Sequence, residues 1–272
     1  MNIENFEYLQ KQLEKRGWEE LNPQLAEHIA QGKESFDLYI SQSPDPLTID
    51  YELKFRKHAE HPFYYFNRIN AALSEGDQVL AEASFRESWN LMPEEMYQIL
   101  KYGNKVAVYK EGIKNEAGEP FNAWITVNAD IPLTEEGLLN LNTYHDKYYK
   151  KYPFNLDYSL SKLPDDIKEQ IKNDFADVIA HLKHGIPYPV NVDKAGTLEP
   201  SFLSVNAKVG RVDLFNANME PLALAEKTEM KQSGNLSNGA EQQLAIDGEK
   251  KKPQQVRPNH FKNNKQSRGL SR

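Results

Sequence analysis

Residues 144–152, Tyr-His-Asp-Lys-Tyr-Tyr-Lys-Lys-Tyr, interleave aromatic rings with lysines. Rings stack on bases while cations follow phosphates. Tyr144, Lys147, Tyr148, Lys150 and Lys151 are therefore candidates for a single-strand nucleic-acid contact. The competing reading is structural, with the rings packed on a neighbouring sheet and the lysine heads in water. A second candidate is His181 and His184, three residues apart, with Asp177 one turn earlier. On a helix these three would share a face, and two imidazoles plus a carboxylate can hold zinc. The spacing is not that of HExxH and the chain has no cysteine, so a solvated helix end explains the pair as well. His58 and His61, before Pro62, are a weaker instance. Asp165-Asp166 and Glu94-Glu95 pair acids at helix starts, where capping accounts for them without acid–base chemistry. No G-x-S-x-G, P-loop or G-x-G-x-x-G stands in the chain. Neither a catalytic residue nor a cofactor is expected.

The charge is unevenly placed. Residues 250–272 contain Lys250, Lys251, Lys252, Arg257, Lys262, Lys265, Arg268 and Arg272 and no acid. Removing those eight positive charges from a net of −7 leaves −15 on residues 1–249. An acidic body repels nucleic acid at long range, whereas a flexible basic tail binds polyanions nonspecifically and with steep salt dependence. The composition is 39% hydrophobic and 27% charged, with a mean hydropathy of −0.74. That is polar for a wholly globular chain and points to a disordered portion. The absence of cysteine excludes a disulfide framework and a thiolate metal site, and suits a reducing cytoplasm. No apolar run approaches the roughly 20 residues of a membrane span, so no membrane partner is expected.

The elements that must position these groups follow from periodicity. Phe6, Leu9 and Leu13 mark a helix stopped by Gly17, and Asn22-Pro23 opens a second that runs to Gly32. Alternation predicts strands at 36–40 and 51–55, and a third over 63–71. A helix from Pro93 ends at Gly103, followed by a strand at 106–108, a loop over 111–120 and a strand over 121–127. Residues 132–163 read as a connecting, partly helical insertion. Ile167, Ile171, Phe175, Val178, Ile179 and Leu182 predict one long helix from Pro164 to Gly185. Strands then follow at 190–192 and 202–205 around a turn over 193–200, with another at 212–215.

Helix, glycine, strand, loop and strand thus occur three times, and the copies close on Ile69-Asn70-Ala71, Val127-Asn128-Ala129 and Val205-Asn206-Ala207. The expected fold class is α+β: three degenerate repeats, each helix covering a face of a small antiparallel sheet. The chain divides into residues 1–92, 93–163 with the Tyr/Lys segment, 164–223, and a disordered basic tail over 224–272.

The run GNKVAVYKEGIKNEAGEPFNAWITVNA, the following TYHDKYYKKYPFNLDYSLSKLP and the segment VNVDKAGTLEPSFLSVNAKVGRVDLFNANMEPL carry a resemblance. They resemble a domain-of-unknown-function family met on conjugative and mobilisable elements of Bacteroidota, over roughly residues 3–223. The chain departs from that family at Gly103-Asn104, where the family has Gly-Arg, and at Asn206-Ala207, where it has Asn-Pro. The resemblance implies a cytoplasmic mobile-element protein and transfers no catalytic residues. Three readings follow. The first is a non-catalytic accessory protein whose acidic body binds a protein partner and whose tail touches nucleic acid. The second is a nucleic-acid-binding protein using residues 144–152, and the third an enzyme without a recognisable motif.

Overall fold

The computed structural model describes residues 2–44, 46–115, 118–149, 153–194 and 196–222. The tail expected to be disordered lies outside the described residues.

In the first stretch, helices α1 (Ile3–Glu14) and α2 (Asn22–Ala30) precede strands β1 (Ser35–Gln42), β2 (Thr48–Lys57), β3 (Tyr64–Glu75) and β4 (Gln78–Arg86). The second contains α3 (Pro93–Tyr102), β5 (Val108–Lys114), β6 (Pro120–Val127) and β7 (Leu141–His145). The third contains α4 (Leu156–Ser161), α5 (Asp165–Ile171), α6 (Phe175–Lys183), β8 (Tyr188–Lys194), β9 (Thr197–Asn206), β10 (Arg211–Asn216) and β11 (Pro221–Leu222). Every strand pairs antiparallel with its sequence neighbour, giving meanders β1-β2-β3-β4, β5-β6-β7 and β8-β9-β10-β11. The fold is α+β with three antiparallel sheets, as the periodicity indicates.

Local chemistry accounts for most element ends. Asn2 Oδ1 accepts from Asn5 N at 2.9 Å and starts α1, whose Leu9 and Leu13 point into the core. Pro93 occupies the first turn of α3, and Gly103 ends it at φ 61° and ψ −130°, a conformation a side chain disfavours. The single helix expected from Pro164 to Gly185 is two. The chain turns at Lys172-Asn173-Asp174, where Asp174 N bonds to Ile171 O at 3.2 Å. Asn and Asp compete with the helical backbone for hydrogen bonds, so this polar triplet breaks the run. Ile167 and Ile171 on α5 and Val178 and Leu182 on α6 are buried, while Phe175 is 37% exposed. The turn expected over 193–200 is shorter, because Lys194 already pairs with Thr197.

Three strands escape the periodicity, β4, β7 and the two-residue β11. β3 also runs past Ala71 to Glu75, so Asn70-Ala71 lies mid-strand opposite Glu52 and Tyr51. In the other two stretches Val127 and Asn206 end the second strand of their meander. The Val/Ile-Asn-Ala landmark therefore marks a strand end in the second and third units, one residue apart, and not in the first.

The middle sheet is shared by two cores. Ala123, Ile125 and Val127 face one core, with Val108 and Ile113 of β5. Trp124 between them faces the other, with Tyr144 of β7. All five residues from Ala123 to Val127 are buried, as on a strand covered on both faces. The first core holds Leu13, Leu25, Leu53, Phe55, Phe85, Met96 and Ile99. The second holds Leu160, Ile167, Val178, Leu182, Leu203 and Val212. Helix α3 packs on β3 and β4, the sheet of the preceding unit, rather than on its own. Its buried Met96, Ile99 and Leu100 belong to that first core. The loop between β6 and β7 docks on the free edge of β4, where Leu139 N donates to Glu82 O at 2.7 Å.

Beyond the shared second core, the third unit approaches the backbone of β5 closely at Val108. Val108 and His184 form an isolated antiparallel bridge, and a Cβ on Gly185 would come 2.9 Å from Val108 Cγ2. Gly185 also has φ 72°. Gly185→Ala is expected to cost about 2–4 kcal/mol, from overpacking and left-handed strain together. Gly32, at φ 67° with nothing within 4 Å of an added Cβ, isolates the backbone part. Gly32→Ala is expected to cost about 1 kcal/mol, and urea denaturation of the two variants measures the difference.

Candidate functional site

The Tyr/Lys segment continues β7 into a single 3-10 turn, Asp146–Tyr148. Tyr144 lies opposite Trp124 and is 4% exposed, so it offers no face to a base. Its ring meets that of Tyr148 at 4.6 Å, and Tyr148 meets Tyr149 at 5.2 Å, both edge-on. Tyr149 OH donates to Ala207 O at 2.7 Å, and burial, reinforced by Tyr148, Tyr144 and Asp146, raises its pKa. Tyr148 is 44% exposed, and Lys147 borders a shallow cleft of about 800 Å³ with Asn115, Phe121, Asn122 and His145. The aromatic part of this segment is mostly a bolt between the middle sheet and the 207–210 turn. Lys150, Lys151 and the basic residues from Lys250 to Arg272 lie outside the described residues.

The face expected from Asp177, His181 and His184 does not assemble. His181 Nδ1 contacts the Asp177 backbone oxygen at 2.7 Å, so the Asp177 carboxylate takes no part there. His184 lies past the last turn of α6, and its ring reaches Glu95 instead. The His58 and His61 rings meet at 4.7 Å, tilted by 35°. Among the described residues no group of three or more His, Cys, Asp or Glu is placed to hold a metal ion.

The site that does converge is at the start of α3. Glu95 was legible as a cap, and its Oε2 does accept from Met92 N at 2.7 Å. Its other partners were not. Lys110 Nζ of β5 meets Oε2 at 2.5 Å, and His184 Nδ1 donates to Oε1 at 2.8 Å. The Glu95 side chain is 2% exposed and that of Lys110 13%, whereas His184 is 58% exposed. One carboxylate therefore ties α3, β5 and the end of α6 together. Beside it lies a cleft of about 780 Å³ whose lining includes Arg16, Tyr51, Glu94, Glu95, Tyr97 and His184. Burial pushes the Tyr51 hydroxyl above its ordinary range, and it donates to Pro93 O at 3.1 Å. Burial pulls the Arg16 guanidinium down, opposed by Glu87 at 3.3 Å. Arg16 also donates to Leu91 O at 3.2 Å and Gln12 O at 3.0 Å, which fixes the cleft's floor to α1.

No protein-family model, curated protein or solved structure matches the chain. Chemically, the cleft offers His184, held through Nδ1, and Glu94, which is exposed at the rim. Glu95 itself is occupied by a lysine, an imidazole and a backbone N–H. A carboxylate with its oxygens so engaged fixes geometry. No helix among the described residues is long and apolar enough to cross a membrane.

Proposed function

We propose that the chain is a non-catalytic accessory protein of a mobile genetic element, working in the cytoplasm. Its acidic body binds a protein partner, and its basic tail touches nucleic acid without sequence preference. The observation that carries this reading is the state of Glu95. The carboxylate buried at the cleft is held by Lys110, His184 and Met92 N, so its charge serves to join elements. Arg16 is held in the same manner by Glu87, Leu91 and Gln12. The resemblance of the 103–129 run to a mobile-element family supplies the setting, and the −15 on residues 1–249 favours a basic partner.

The test is capture by the full-length protein from nuclease-treated extract of cells carrying the parent element. A variant with all eight basic tail residues changed to Gln is run beside it. Both are expected to retain the same partner, with yield falling as salt rises. A partner that disappears after nuclease treatment, or with the tail charges, would overturn the role given to the body.

A second reading has a specific observation behind it. Lys147 borders the surface cleft beside β7 and the next residue, Tyr148, is exposed, so nucleic acid could be held there. Tyr148→Ala and Lys147→Gln separate the two. Unchanged oligonucleotide affinity in both variants is the result expected if the tail makes the contact.

A further inference from the structure

The pattern of rings and cations sought at residues 144–152 occurs more openly on the outward face of the first sheet. Strand register sets it there. Asp37 pairs with Lys54, Lys54 with Arg68, and Arg68 with Arg86, one row across all four strands. A register shift after Lys54 then brings Arg56 opposite Tyr65. Neighbouring strands lie about 4.8 Å apart, so the row presents three cations over roughly 10 Å. Arg56, Arg68 and Arg86 are exposed, and with Lys54 they border a shallow cleft of about 740 Å³.

Aromatic rings adjoin this row. Tyr65 is 48% exposed, and the His58 ring lies 5.7 Å from it. His58 in turn meets His61 at 4.7 Å and Phe63 at 6.1 Å, so four rings gather where β2 passes into β3. The acids nearby are largely engaged. Asp37 and Glu52 both hold Lys54, at 3.0 and 2.7 Å, and Glu52 also accepts from Tyr39 and Asn70. Glu87 is held by Arg16. Burial acts to raise the Glu52 pKa, but the bonds from Lys54, Asn70 and Tyr39 outweigh it and leave the group below its ordinary value. Arg56 and Arg68 make no ion pair among the described residues, and Arg68 donates only to Ser84 Oγ at 3.4 Å.

We propose that this face binds single-stranded nucleic acid. The phosphates follow Arg56 and Arg68, flanked by Arg86, while Lys54 holds Asp37 and Glu52 back from them, and a base stacks on Tyr65. Guanidinium forks fit phosphate oxygens, and an exposed ring accepts the π-face of any base. A duplex hides those faces, so the single strand is the form the rings select. The ring cluster also favours nucleic acid over a phosphorylated peptide, which would use the cations alone. This contact lies on the body and is independent of the tail in the reading above. The acidic remainder of the body makes it weak and salt-sensitive.

The test uses anisotropy of a labelled oligothymidylate with full-length protein in which the eight basic tail residues are changed to Gln. Binding is expected to persist in that background and to exceed binding to the matching duplex. The double substitution Arg56→Gln, Arg68→Gln should lower the slope of log affinity against log salt by about 1.4, roughly 0.7 per phosphate lost. Tyr65→Ala should weaken binding about tenfold, and Tyr65→Phe should restore it. All three side chains are exposed, so the melting temperature should stay near that of the parent. Arg68→Gln alone is the milder second variant. Loss of all binding on tail neutralisation overturns the proposal and leaves the tail reading standing. Binding unmoved by the three body substitutions overturns it as well. Binding lost through the body substitutions and unaffected by the tail sustains it and removes the tail's role.

Discussion

Glu95→Ala is expected to destabilise the body by about 3–5 kcal/mol, the cost of leaving a buried partner charge uncompensated. Lys110, only 13% exposed at its side chain, would lose the carboxylate 2.5 Å away. Met92 N and His184 would lose their acceptor too. At roughly 2–4 °C per kcal/mol for a body of this size, the melting temperature should fall on the order of 10 °C. Glu95→Gln should fall between the parent and the alanine variant. The double substitution Glu95→Leu, Lys110→Met removes both charges and should recover most of the loss, because a buried pair and an apolar pair of similar volume are close in stability. Calorimetric melting of the four proteins checks this. An alanine variant that melts with the parent would mean that the pair is solvated and does not join the elements.

The second large effect concerns the shared middle sheet. Trp124→Ala and Ile125→Ala alter adjacent residues of β6 that face different cores. Removing a buried Trp costs about 3–5 kcal/mol and a buried Ile about 2–5 kcal/mol. If one sheet serves both cores, each substitution lowers a single transition in which every element takes part. Two independent cores would give two transitions, with Trp124→Ala moving only the one that contains α4 to α6. Hydrogen exchange on β2 and β9 in both variants distinguishes these outcomes, since β2 lines the first core and β9 the second.

Local sequence chemistry carried much of this fold. The glycines at 32, 103 and 185 all adopt positive φ and end their helices where the pattern placed them. Strands with β-branched and aromatic alternation, such as 36–40 and 121–127, were legible for the same reason. β4 was not, because its inward Ala81 and Ala83 are too small to stand out from polar neighbours. β7 was hidden by Asn142 and Thr143, which read as loop residues although they pair with Thr126 and Ile125. The placement of α3 on the preceding sheet is a tertiary choice that helix periodicity cannot reveal.

The sites divide in the same way. Glu95 as a cap follows from three residues of sequence, but its pairing with His184 spans 89 residues. Tyr144 looked available because it opens a Tyr/Lys-rich run, yet the pairing of β7 with β6 turns its ring into the second core. Conversely, Arg56 and Tyr65 stand nine positions apart in the chain, and only the β2–β3 register makes them neighbours.

The claim that the protein works by surface recognition, with the cleft serving as scaffold, has one direct measurement. Full-length protein and His184→Gln are compared for partner capture from nuclease-treated extract of cells that express the protein. His184 is exposed at the cleft and can be changed there without emptying the core. Equal capture by the two proteins is the predicted result. Loss of capture by His184→Gln, at an unchanged melting temperature, would place the function in the cleft and contradict the account.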